Sequence, residues 1–166
     1  CSVVCNYFLL HLKEERKMKG FDYNRFFVAA ENGENALLTH MLSEGYNVHA
    51  NNDLALRCAS ENGKIETVKL LLKKGAFINA LDSASLRWAA YYGETEVVDF
   101  LIKSGADLHA CADSALCNAI VCNHYETVQC ILSHSNTTYS SNSYPVRLAK
   151  KKSHINIIQL FTLETA

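Results

Sequence analysis

Proline is nearly absent from this 166-residue chain: Pro145 stands alone, beside only seven glycines. So few breakers exclude an all-β sandwich or barrel, a collagen-like or proline-rich segment, and a disordered tail. What remains is a chain expected to be mostly helical. Long apolar runs are lacking too, since none reaches the roughly 18–20 residues that cross a bilayer. Residues 2–12 are apolar, but no basic segment precedes them and no small-residue cleavage pattern follows, so they do not read as a signal peptide. Charge of one sign is also missing: 16 Lys+Arg oppose 17 Asp+Glu, a net of −1. Within residues 21–140 the balance is 8 basic to 14 acidic, a net of −6, and such a field repels phosphate and argues against a nucleic-acid partner. The chain holds no P-loop, no G-x-S-x-G, no H-E-x-x-H and no G-x-G-x-x-G, so no enzyme is expected.

Cysteine is plentiful by contrast. There are seven, at 1, 5, 58, 111, 117, 122 and 130, an odd number without a secretory signal. Free thiols in a reducing cytoplasm are therefore expected in place of a disulfide framework. The chain opens on Cys1 instead of Met, as a processed or trimmed product would.

Comparing the chain with itself at an offset of 30 decides the architecture, because the positions align without a gap. Ala29, Ala59, Ala89, Ala119 and Ala149 coincide, as do Phe26, Leu56, Leu86, Leu116 and Val146. Further on, Leu38, Val68, Val98, Val128 and Ile158 coincide, and so do Met41, Leu71, Leu101, Ile131 and Phe161. Two glycine series share the period: Gly33, Gly63, Gly93, and Gly45, Gly75, Gly105. In residues 51–80, Leu56 and Ala59 give the stripe of a first helix, about 54–61, ended by Gly63. Val68, Leu71 and Leu72 give the stripe of a second, ended by Gly75. Neither helix can hide its stripe alone, so each unit must stack on the next, giving a solenoid.

Segments such as LRCASENGKIETVKLLLKKGAFINA (56–80) and LRWAAYYGETEVVDFLIKSGADLHA (86–110) resemble ankyrin repeats, over about residues 21–164. The resemblance implies an all-α ankyrin-repeat solenoid of stacked helix-turn-helix units, at about 21–50, 51–80, 81–110, 111–140 and 141–164. The period is 30 where the family usually has 33, and the missing residues fall near Ala80 to Asp82 and their equivalents, so shortened hairpin fingers are expected. The family's T-P-L-H opening is absent, and only Tyr144-Pro145-Val146-Arg147 keeps the proline. This short form resembles the expanded arrays of giant DNA viruses and of some amoebal and intracellular bacterial proteins. Residues 1–20 do not match the repeat; 3–17 read as a helix, apolar at Val4, Phe8 and Leu12, capping the first unit.

The resemblance implies a non-catalytic module that binds a protein partner on its concave face, as a monomer without cofactor, small-molecule substrate or membrane contact. In a viral or bacterial effector the setting would be the host cytosol. The pairs of residues before each glycine position, carried over from the family, run Glu31-Asn32, Glu61-Asn62, Tyr91-Tyr92, Val121-Cys122 and Lys151-Lys152, changing from polar to aromatic and apolar. Arg57 and Arg87 lie one helical turn before Glu61 and Tyr91, where they can pair or stack. The expected contact residues are thus Arg57, Glu61, Asn62, Arg87, Tyr91, Tyr92, Val121 and Cys122. Tyrosine suits hot spots because it buries a large area at little rotamer cost; the alternative is that Tyr91 and Tyr92 merely cover a neighbouring unit. Trp88, between Leu86 and Ala89, is expected to be partly buried between units.

Two further readings stay open: the substrate-recognition part of a larger enzyme or ubiquitin-ligase adaptor, and a metal- or redox-responsive role for the fourth unit. Cys111, Cys117, Cys122, His124, Cys130 and His134 crowd into that unit, but without the C-x2-C spacing of structural zinc sites. Cys130 falls where Leu70 and Phe100 stand, as a core filler would, so no metal site is assigned. The run Arg147, Lys150, Lys151, Lys152 reads as the solvated face of a terminal helix. Asn136-Thr137-Thr138 is a formal glycosylation sequon expected to be unused. Asp107-Leu108-His109 resembles the loop that asparaginyl hydroxylases modify in ankyrin proteins, with His109 in place of the usual Asn that Asn79 keeps.

Overall fold

The computed structural model describes residues 21–163, and the expected N-terminal cap within residues 1–20 lies outside them. Among the described residues, ten helices form five pairs. The first helices are α1 (Tyr23–Asn32), α3 (Ala50–Glu61), α5 (Ala80–Tyr92), α7 (Ala110–Val121) and α9 (Tyr144–Lys152). The second helices are α2 (Asn35–Ser43), α4 (Ile65–Lys73), α6 (Thr95–Lys103), α8 (Tyr125–His134) and α10 (Ile155–Leu163). No strand occurs among the described residues, and no helix there is long and apolar enough to cross a membrane.

The repeat register is also the burial register. Phe26, Leu56, Leu86 and Leu116 are sealed from solvent, and so are the five alanines of the series. The alanines are small because first helices from neighbouring units approach there, and a larger side chain would wedge them apart. First helices pack on one another more extensively than second helices do. At the last unit Ile158 is half-buried while Ile157 is sealed.

Each first helix ends the same way. The N–H of Glu34, Lys64, Glu94, His124 and His154 donates back to the alanine carbonyl of its own unit, at 2.8, 2.9, 2.9, 3.0 and 3.2 Å. This closes the Schellman turn, which needs a left-handed residue just before the donor. Gly93 supplies it at φ +80°, and a Cβ there would meet the His124 ring at 2.6 Å. In units four and five Asn123 and Ser153 take the left-handed conformation instead.

Among the described residues the shortened fingers are turns without strands. There, three consecutive residues of each middle unit adopt left-handed conformations: Asn51-Asn52-Asp53, Leu81-Asp82-Ser83 and Cys111-Ala112-Asp113, all with φ between 49° and 59°. One left-handed turn thus connects each loop to its first helix, so the regular part of α3 begins at Leu54. Such residues cost roughly 1–2 kcal/mol each for side chains other than glycine, so the turns need support. Side chains from the last of the three supply part of it: Asp53 accepts the Phe77 N–H at 3.0 Å and the Ser83 hydroxyl accepts the Asp107 N–H at 3.1 Å.

Candidate functional site

The first-helix row carries the residues expected to face a partner, and the structure separates them into two groups. Arg57 and Arg87 belong to the fold. Arg57 is 7% exposed, a correction to its expected place on the open face. Its guanidinium Nη2 donates to the Asn51 carbonyl at 3.1 Å. Arg87 does the same for its own unit, donating from Nη2 to Leu81 at 2.8 Å and from Nε to Asp82 at 3.0 Å. The two arginines therefore brace the left-handed turns through the carbonyls of Asn51, Leu81 and Asp82. Burial lowers the Arg57 pKa, partly opposed by the nearby Glu61 and Asp53 charges. The position in unit four is Cys117, a buried thiol raised to about 11 by burial and by Asp113.

The second group is aromatic. Trp88 is half-buried, as expected, and stacks on Tyr92 with centroids 6.1 Å apart, while Tyr91 meets it edge-on at 5.8 Å. Tyr91 and Tyr92 meet each other edge-on at 5.2 Å. Tyr92 remains 40% exposed and Val121, in the next unit, 39% exposed. Tyr91 turns further inward: its side chain hydrogen-bonds Cys122, whose thiol pKa burial raises, and its carbonyl accepts from His124 Nε2 at 3.0 Å. Tyr91 thus covers the neighbouring unit, whereas Tyr92 remains open to solvent. Asn118, two positions after the buried Leu116, donates to the Arg87 carbonyl at 3.1 Å and pins α7 to α5 beneath this surface.

Polar neighbours flank the aromatics on the unit-two side. Asn62 is exposed and donates to the Cys58 carbonyl at 2.8 Å. Glu61 is half-buried beside Glu31, and burial first, then repulsion from Glu31, raises its pKa to about 7 against the pull of Arg57. The row therefore passes from carboxylates through a tyrosine pair to an aliphatic residue. No catalytic constellation of nucleophile and base is assembled on it.

The Cys/His-rich unit disperses in space. Cys111 is exposed near Asp82, Cys117 is buried and Cys122 lies under Tyr91. Cys130 and His134 meet Asp99 from the preceding unit on the second-helix row, a juxtaposition that spacing within one unit could not reveal. Asn79 is engaged structurally: its side chain donates to the Gly105 carbonyl at 3.2 Å and accepts from Ser83 and from the Asp107 N–H. His109 pairs with Asp113 at 2.6 Å, as His49 pairs with Asp53 at 3.0 Å.

The family model of Ankyrin repeats (3 copies) matches the chain over residues 5–82, 26–111 and 86–165. No curated protein matches the chain.

Proposed function

The chain belongs to the ankyrin-repeat family, and from that premise we propose that it is a non-catalytic module whose first-helix row captures a protein partner at Tyr92 and Val121. Ankyrin repeats generally serve protein–protein interaction. The observation that carries the finer reading is the aromatic cluster of Trp88, Tyr91 and Tyr92, followed in the next unit by the exposed Val121, which leaves apolar surface open in the middle of a row otherwise polar at both ends. A rigid, pre-stacked aromatic offers contact area at small entropic cost. Glu61, Asn62 and Cys122 then form the rim, with Tyr91 holding Tyr92 in place from behind and Arg87 bracing the turn of the same unit. A recognition part of a larger enzyme or adaptor would use the same surface. The free thiols support a reducing cytoplasmic setting, which is the host cytosol if the likeness to short viral and bacterial arrays holds.

The test is affinity capture from source lysate by the wild type, by Tyr92→Ala with Val121→Ser, and by Glu66→Ala on the other row. A partner retained by wild type and Glu66→Ala, but lost from the double variant with its far-UV circular dichroism unchanged, supports the reading. A partner retained by all three overturns it.

A further inference from the structure

We propose that Asp99, Cys130 and His134 form a zinc-binding site that bridges units three and four on the second-helix row. One ligand atom from each lies within 4.8 Å of the others, and all three residues are half-buried, open enough for an ion to enter. Cys130 and His134 sit four apart on α8, hence on one face of the helix. Asp99 comes from α6 and already touches His134, Nε2 to Oδ1 at 2.8 Å. Tetrahedral zinc, with bonds of about 2.0–2.3 Å, needs donor atoms spaced by roughly 3.3–3.8 Å, so side-chain rotation alone brings the set into place.

Three features of the repeat converge on this spot. Each ligand departs from its register: Asp99 stands where Lys69 and Gln129 do, Cys130 where Leu70 and Phe100 do, and His134 where Lys74 and Ser104 do. Helix α8 has 10 residues where the other second helices have 9, and the extra residue is His134 itself. Finally, α6 and α8 share the most extensive contact of any pair of described second helices. Thr95 and Thr127 hydroxyls meet across the same seam at 2.7 Å.

The donor chemistry selects the ion. A thiolate, an imidazole and one carboxylate oxygen suit zinc and not magnesium or calcium, which take oxygen donors. Lys103 holds the other Asp99 oxygen, Oδ2, at 2.7 Å and so leaves Oδ1 as a single ligand. Three protein ligands leave the fourth tetrahedral position to water. Binding displaces the Cys130 thiol proton to solvent, so affinity rises with pH.

The experiment uses the full chain, reduced and stripped with chelator, titrated with Co2+ as the spectroscopic stand-in and back-titrated with Zn2+. The variants carry the residues found at the same register in neighbouring units, Cys130→Leu and His134→Ser, so that folding is preserved; Cys117→Ser is the control. The expected result is one equivalent of Co2+ with a thiolate-to-metal charge-transfer band, displaced by Zn2+. That band is lost in Cys130→Leu and His134→Ser and kept in Cys117→Ser. Lys103→Ala, which releases the second carboxylate oxygen, weakens binding by about tenfold. Absence of the band in the wild type, or its persistence in Cys130→Leu, overturns the proposal.

Discussion

Units two and three, residues 51–110, and unit four, residues 111–140, share one register, one core and one left-handed turn yet differ in the residues that shape and brace the backbone. Units two and three keep a glycine after each helix and an arginine that braces the left-handed turn. Unit four has Asn123 and Ser135 for the glycines and Cys117 for the arginine. The two glycine losses have different consequences. Asn123 adopts φ 60° and the turn closes as before, because asparagine tolerates the left-handed region. Ser135 instead turns extended, with φ −85° and ψ 130°, so the chain runs through a polar loop, anchored on the core by the buried Tyr139, before α9. A repeat register survives the loss of its glycines; the path of the chain between units does not. The core itself is untouched, since Leu86 and Leu116 are equally sealed.

The sharpest way to break this comparison is to empty the core in each unit. Leu86→Ala and Leu116→Ala should each lower stability by about 2–5 kcal/mol, read from urea unfolding midpoints. A distinctly cheaper Leu116→Ala would show that the departures of unit four have loosened its core after all. Next comes the first-series turn. Gly93→Ala forces an alanine into φ +80° and drives a Cβ against His124, which would have to release the Tyr91 carbonyl. A loss of about 2–3 kcal/mol follows from adding the left-handed cost to one hydrogen bond. Asn123→Gly at the same position of unit four should change stability by less than about 0.5 kcal/mol, glycine and asparagine both being at ease there.

Arg87→Ala removes two charge-assisted hydrogen bonds from the Leu81–Asp82 turn and should cost about 1–2 kcal/mol. Cys117→Ala, at the register position where unit four has no brace to lose, should cost less than that in the same unfolding assay. Equal losses would mean that the arginine braces contribute nothing beyond packing.

These contrasts also mark what could be read from residues alone. The alanine, leucine and glycine series are local and periodic, so helix pairs, their ends near Glu61 and Gly63, and the stacking order followed directly from spacing. The left-handed turns escaped detection because Leu81 and Ala112 have no preference for such a conformation, and the arginine that supports it lies six residues away in the case of Leu81. That same distance made Arg57 read as a surface residue. Tyr139 was hidden in a polar stretch, though it buries its ring edge-on to Phe161 at 5.8 Å and has its pKa raised to about 12 by burial. The Asp99–Cys130–His134 group joins two units across a seam, and self-comparison reports likeness between units, not contact.

The smallest effect belongs to the carboxylate end of the first-helix row, where unit two again differs from units three and four. Glu61 stands at the position of Tyr91 and Val121, faces Glu31 of the preceding unit, and has its pKa raised from 4.5 to about 7. A carboxyl whose pKa is higher in the folded state binds its proton more tightly there than in the unfolded chain. Its contribution is therefore fully present below about pH 4.5 and is lost as pH rises through about 7. Solvent reaches part of this side chain and screens the repulsion, so the loss should register as a modest fall in melting temperature across that window. Glu61→Gln keeps the shape and removes the titration, so its melting temperature should match the wild type at the acid end and exceed it above neutrality. Glu31→Gln, which removes only the neighbouring charge, should narrow the window without closing it. A Glu61→Gln variant that falls in parallel with the wild type would show that the Glu61 carboxyl is not the group whose titration lowers stability across this window.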